Sequence, residues 1–244
     1  MPGLLLLLAA LLSLNVPVYS QSNIIKYILV DEASCPLDRP ISLQSANWDS
    51  IEIQNAIHET LWRVGFNCET VTTKLTNSRN LLPLTTGKVD YYIEIWSELI
   101  KDIWRQVLDN QSVVVLGTNF SARKGWFIPN YMLSKRPGTE FFSQLYDTLP
   151  AYADKSSPIP FFVGGRDWSN VHQDLNTIEK LGLQAILKPV YASSESEQER
   201  QVMHAMLFRK PFVVSSWEPS AIASTFNLTR IGSEANSKVE DIYK

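Results

Sequence analysis

Four of the seven tryptophans in this chain stand where strand-forming runs give way to loops. They are Trp48 in Ser45-Ala-Asn-Trp-Asp49, Trp96 in Glu94-Ile-Trp-Ser-Glu98, Trp168 in Gly164-Gly-Arg-Asp-Trp168 and Trp217 in Ser215-Ser-Trp-Glu-Pro219. An indole held at a strand end presents a flat, electron-rich face to a cleft. Several such faces converging form a box for a cation that cannot donate hydrogen bonds, and a quaternary ammonium is the usual guest. Pairing such a soft cation with a carboxylate requires desolvating the carboxylate. Aromatic faces attract it without that cost, at ~0.5–2 kcal/mol per contact. The other three tryptophans read differently. Trp62 and Trp104 lie inside amphipathic helical patterns and read as packing residues, and Trp126 sits in a strand before Pro129 and reads as structural.

The competing chemistry is hydrolytic. Asp90, Glu94 and Glu98 gather around Trp96, and paired carboxylates beside tryptophans suit glycoside hydrolysis. Tryptophans also stack on sugars, so a secreted carbohydrate-binding protein or glycoside hydrolase is the alternative reading. Asp90 and Glu94 share one face of a strand while Glu98 opens the next helix, so no particular pair stands out. His58, His172 and His204 are scattered, and no HExxH, GxSxG or CxxC pattern occurs. Gly164-Gly165 is too short for a phosphate loop. No catalytic residue, metal or cofactor is expected.

The bulk properties fit a binding role outside the cytoplasm. The chain has 244 residues, enough for one large domain or two lobes. Its net charge is −3, with no long basic run, which argues against a nucleic-acid partner. Residues 1–20 read as a secretory signal: an apolar run from Leu4 to Leu14, a break at Pro17, and cleavage before Gln21. The run is shorter than the ~20 residues of a comfortable membrane span. Asn110, Asn119 and Asn227 head glycosylation sequons, usable on a eukaryotic secretory route. Cys35 and Cys68 can pair in an oxidising compartment.

The elements that must position the tryptophans alternate along the chain. Strand patterns fall at residues 24–30, 41–44, 68–72, 89–95, 112–116, 126–128, 160–163, 184–187 and 212–215. Helix patterns fall at 50–64, 77–84, 97–108, 141–149, 171–181 and 194–208. In the first long helix Ser50 is the expected N-cap, Gly65 the stop, and Ile53, Ile57, Leu61 and Val64 the buried face. In the third, Leu99, Ile103 and Val107 point inward. Such alternation implies α/β layers with a largely parallel sheet, and ligands of such sheets bind beyond the carboxyl ends of strands. A boundary between two α/β blocks is expected near Thr118 to Lys124.

Five segments carry a resemblance. Ile41-Ser-Leu-Gln-Ser-Ala-Asn-Trp-Asp-Ser-Ile-Glu-Ile-Gln-Asn-Ala-Ile57, Leu61-Trp-Arg-Val-Gly-Phe66, Thr86-Gly-Lys-Val-Asp-Tyr-Tyr-Ile-Glu-Ile-Trp96, Gly125-Trp-Phe-Ile-Pro-Asn-Tyr131 and Lys210-Pro-Phe-Val-Val-Ser-Ser-Trp-Glu-Pro219 occur in order. Together they resemble substrate-binding proteins of glycine betaine/choline/proline-betaine ABC transporters. The resemblance covers roughly residues 24–230. It implies an α/β, two-lobed periplasmic-binding-protein-like fold of type II, closing on a ligand without bond chemistry. The lobes are expected at 22–118 and 119–215, with 216–244 returning toward the first lobe. Members of the family continue further past the last motif, so the chain is expected to be a fragment, a C-terminally truncated form or a divergent one.

The resemblance implies roles residue by residue. Trp96 and Trp217 match box tryptophans, Trp48 matches a further one in the choline-type branch, and Trp168 stands near a second-lobe aromatic. Tyr131 is expected to supply another wall, and Asp49 to accept a hydrogen bond from a ligand hydroxyl. A betaine carboxylate would need backbone donors, for which the turns at 50–53 and 164–165 are candidates. The implied partners are a small quaternary ammonium ligand, glycine betaine or choline, and a membrane permease.

Overall fold

The computed structural model describes residues 34–75, 79–153 and 157–232. The expected signal at 1–20 and the strand at 24–30 lie outside the described residues. Two sheets organise the chain. The smaller is wholly parallel, with strands β1 (Ile41–Ser45), β2 (Thr70–Lys74) and β3 (Tyr91–Tyr92) in the order β2-β1-β3. Helix α1 (Asp49–Phe66) carries the chain from β1 to β2, and the short α2 (Leu82–Thr85) precedes β3. A 3-10 turn at Ser97–Ile100 then leads into α3 (Lys101–Asp109).

The larger sheet is mixed. It contains β4 (Arg123–Pro129), β5 (Ile159–Gly164), β6 (Leu187–Tyr191), β7 (Val213–Glu218) and β8 (Leu228–Arg230), in the order β6-β5-β7-β4-β8. Strands β6, β5 and β7 run parallel, whereas β4 is antiparallel to both β7 and β8. Its short helices are α4 (Asn130–Leu133), α5 (Leu145–Thr148) and α8 (Ala221–Thr225). Its long ones are α6 (Ser169–Lys180) and α7 (Glu195–Leu207).

Alternation along the larger sheet's strands explains its two layers. Trp126, Ile128, Phe161, Val163 and Val213 belong to the main core with Val171 and Ile178 of α6. Phe127, Phe162 and Val214 belong to a second cluster with Val202 and Ala205 of α7. Successive residues point to opposite faces, so a sheet covered on both sides reads as a continuous apolar run. Trp126 is fully buried in this core, in keeping with its structural reading.

Helix α1 departs from expectation. Its N-cap is Trp48, in extended conformation (φ −129°, ψ 153°), and Ser50 lies in the first turn. It ends at Asn67, whose φ of 50° closes it in the left-handed region, rather than at Gly65. The buried residues are Ile51 and Asn55, while Ile53, Ile57, Leu61 and Val64 are exposed. At about 100° per residue the two sets lie on opposite sides of the helix. The polar Asn55 wins the inner face because its side-chain amide donates to the Gln44 carbonyl of β1 at 3.2 Å. On the same side, His58 and Trp62 pack with Tyr91 of β3. In α3, Val107 is buried as expected, and Ile103 is partly so.

Other expectations are corrected. Residues 112–116 form no strand, and Val114, Val115 and Leu116 are exposed, because no neighbouring strand among the described residues offers them a ladder. The expected helix at 141–149 is broken into 3-10, α and 3-10 turns. The strand expected at 184–187 forms at 187–191, where it pairs with β5. Within the described part of residues 216–244, β8 pairs with β4 of the larger sheet. Cys35 and Cys68 form a disulfide that ties the segment before β1 to the approach to β2. Among the described residues no helix is long and apolar enough to cross a membrane.

Candidate functional site

All four strand-end tryptophans reach one cleft between the two sheets. Trp48 follows β1, Trp96 follows β3, Trp168 follows β5, and Trp217 lies near the end of β7. These are the carboxyl ends of parallel strands, where open α/β sheets place their ligands. The cleft is lined by Trp48, Trp96, Trp168 and Trp217 together with Leu99, Lys124, Ser169 and Asn170. Trp48 meets Trp168 edge-on with ring centroids 6.0 Å apart, Trp96 meets Trp217 at 5.7 Å, and Trp168 meets Trp217 at 6.0 Å. Trp48 and Trp96 come from the first lobe, Trp168 and Trp217 from the second. Each close ring pair except the last therefore joins the two lobes.

The indoles are aimed by polar atoms behind them. Glu94 is buried, and its Oε1 accepts from the indole N–H of both Trp48 and Trp96, each at 2.8 Å. Its Oε2 accepts from the Ser50 hydroxyl at 2.8 Å and the Gln54 amide at 2.6 Å. The Trp168 indole N–H donates to Asn47 Oδ1 at 2.5 Å. The Trp168 ring rests on the backbone of the preceding turn. A Cβ at Gly164 would lie 2.5 Å from the ring, and one at Gly165 2.6 Å from its Nε1. Gly164 also has a φ of +83°, which side chains resist.

Polar contacts hold the lobes together beside the box. Asn47 Nδ2 donates to the Ser193 carbonyl at 2.7 Å, and the Asp49 N–H donates to Glu195 Oε2 at 2.9 Å. Burial pushes the Glu195 carboxyl up to about 7; the Asp49 N–H opposes this, and the charges of Asp49, Glu94 and Glu199 add to it. On the second lobe, Lys124 pairs with the buried Asp174 at 2.6 Å. Asp174 also accepts from the Trp126 indole at 2.8 Å and the Ser215 hydroxyl at 2.7 Å. That network fixes α6 against β4 and β7, and with it Ser169 and Asn170 at the lip of the cleft.

Two expected site residues stand elsewhere. Tyr131 does not line the cleft; its hydroxyl donates to the Lys210 carbonyl, and the Arg209 guanidinium sits 5.2 Å from its ring centroid. The reason is strand direction. Because β4 runs antiparallel, its end carries Tyr131 away from the box, while its start places Lys124 opposite Trp217. Asp49 is likewise absent from the lining, and its carboxylate faces the Ser196 hydroxyl at 3.5 Å. The turn at 50–53 is engaged by Glu94 through Ser50, and the 164–165 turn backs Trp168. Lys124, Ser169, Asn170, Glu94 and Asn47 were not singled out as binding residues. The Ser-Asn pair directly after Trp168 was the available signal, since small polar residues open helices.

The carboxylates around Trp96 do not converge. Asp90 is held by Arg39 at 2.6 and 2.7 Å and by the Ser42 N–H, and Arg39 keeps its carboxyl below the usual range. Glu98 is exposed and pairs with Lys101.

Residues 39–240 match the family model described as the substrate binding domain of ABC-type glycine betaine transport system. Among solved structures, lactococcal OpuAC complexed with glycine betaine superposes with a TM-score of 0.61 at 20% identity, covering 80% of this chain and 71% of that one. An ABC-transporter choline binding protein in complex with choline gives 0.67 at 16% identity, covering 83% and 66%. The glycine betaine, L-proline binding protein (ProX) from Borrelia burgdorferi gives 0.61 at 16% identity, covering 80% and 69%. These likenesses establish the two-lobed fold. No match is found among curated proteins.

Proposed function

The chain belongs to the family of substrate-binding domains of ABC-type glycine betaine transport systems, and from that premise we propose that it captures a quaternary ammonium compound for delivery to a membrane permease. The observation that carries this reading is the meeting of four indoles, two from each lobe, in one cleft. Lobe closure brings the two pairs together, and a ligand that contacts both stabilises the closed form by its differential affinity. Each indole face offers ~0.5–2 kcal/mol to a trimethylammonium group. Where the ligand carries a carboxylate, Lys124 and the start of α6 are the groups suited to it. Trp48, Trp96, Trp168 and Trp217 are the ligand-binding residues in this reading, and residues 118–124 the passage between the lobes. The protein works outside the cytoplasm, with residues 1–20 as export signal and Asn110, Asn119 and Asn227, all on exposed positions, as acceptors for glycans where the host supplies them.

The carbohydrate reading is less well supported. Glu94 is occupied by four donors, and Asp90 and Glu98 are engaged apart from it. The test is titration calorimetry of the mature chain with glycine betaine and choline, beside Trp96→Ala and Trp217→Ala. Saturable heat is expected from wild type, with clearly weaker binding in both variants. Absence of heat from folded wild-type protein would overturn the reading.

A further inference from the structure

We propose that Glu94 is the specificity-determining residue of the box, selecting a positive charge over a neutral group of the same shape. The inference rests on the quaternary-ammonium reading above and deepens it. Glu94 is buried at the back of the cleft, and one of its oxygens accepts both first-lobe indole N–H groups at 2.8 Å. An indole N–H can only donate, so that oxygen must be an acceptor. The other oxygen faces the Ser50 hydroxyl and the Gln54 amide. Both indoles and the Gln54 amide thus donate to Glu94, and the Ser50 hydroxyl is placed to do so, an arrangement suited to a carboxylate. No lysine or arginine is paired with Glu94 among the described residues.

Two consequences follow for the cleft. A hydrogen bond from each indole to an anion drives electron density toward the ring faces that line the box, strengthening their pull on a cation. The anion also acts directly, at one indole's remove, in a water-poor setting where charges are weakly screened. Because the charge is held behind the rings by four donors, the ligand gains its field without having to strip water from it. Trp48 and Trp96 supply shape, and Glu94 supplies sign.

The experiment compares each cation with its carbon isostere: choline against 3,3-dimethylbutan-1-ol, and glycine betaine against 3,3-dimethylbutanoate. The proteins are wild type, Glu94→Gln and the exposed-carboxylate control Glu98→Gln. Glutamine keeps the shape and its amide oxygen can still accept both indoles; the charge is lost, and its amide nitrogen replaces the oxygen that accepts from Gln54 and turns to the Ser50 hydroxyl, which can accept. Wild type and Glu98→Gln are expected to prefer the cation strongly. In Glu94→Gln that preference is expected to fall about tenfold or more, with affinity for the neutral 3,3-dimethylbutan-1-ol little changed. Should Glu94→Gln not fold, the shorter isosteric pair Glu94→Asp and Glu94→Asn carries the same comparison. An unchanged cation-to-isostere ratio in the folded uncharged variant would overturn the inference. Failure of wild type to bind either ammonium compound would instead overturn the functional reading beneath it.

Discussion

Glu195 is expected to make ligand capture sensitive to acidity, by an amount that follows from its burial. Its carboxyl is buried at the junction of the lobes, accepts from the Asp49 N–H of α1, and faces the charges of Asp49, Glu94 and Glu199. Burial, the largest cause, moves it from an ordinary 4.5 up to about 7. Parting the lobes returns water to the carboxyl and relaxes it toward the ordinary value. The closed form therefore holds a proton that the open form releases, across the window from about 4.5 to about 7. A raised acid favours the closed form fully below that window, and the advantage is lost as pH rises through the upper value. With those two limits, closure gains a factor of about 30 at pH 5.5 over pH 8, or roughly 2 kcal/mol. Full relaxation on opening makes this an upper bound. The assay is calorimetry of choline or glycine betaine binding across that range, repeated in buffers of different ionisation enthalpy to count protons. Wild type should bind up to thirtyfold tighter at the acid end and take up a fraction of a proton near pH 6. Glu195→Gln, which still accepts from the Asp49 N–H, should be nearly flat. Affinity that weakens on acidification, or a variant with the wild-type profile, would refute the reasoning.

Other expectations can be checked on the same material. Trp217→Ala removes a face that touches both Trp96 and Trp168, and should weaken binding by ~1–2 kcal/mol, about five- to thirtyfold by calorimetry. Asp174→Ala strands Lys124 without its 2.6 Å partner inside the fold, and should cost ~3–5 kcal/mol of stability in urea unfolding. Opening the disulfide, with Cys35 and Cys68 changed to Ala, releases a 33-residue separation, and should cost roughly 3–4 kcal/mol, read as a lower melting temperature. Asn47→Ala loses contacts to both Ser193 and Trp168, and should speed ligand release in stopped-flow fluorescence more than it alters capture.

The convergence of the four tryptophans on one cleft was more legible than the elements around it. Tryptophans flanked by turn formers at strand ends are a local signal, and the parallel strands that carry them convert that signal into one cleft. Direction was the missing quantity for Tyr131 and Lys124. Both sit at ends of the same run, and only the antiparallel pairing of β4 with β7 decides which end faces the box. The inner face of α1 was misread because an apolar stripe is the usual buried one, whereas here Asn55 finds a backbone partner and is buried instead. Residues 112–116 have strand-forming composition, but a strand exists only with a neighbour to pair with. Glu94 was visible as a carboxylate beside a tryptophan. Its hydrogen bond to Trp48, 46 positions away, was not visible in the sequence.

Gly164 and Gly165 give the box an adjustment that lies outside it. The Trp168 ring occupies the space their side chains would fill, so the bore of the cleft is set from behind by two missing carbon atoms. A methyl group at position 165 would stand 2.6 Å from the ring nitrogen, so the ring or the turn behind it would have to shift. A lineage could thus exchange one guest for another of different girth through a residue that never meets either.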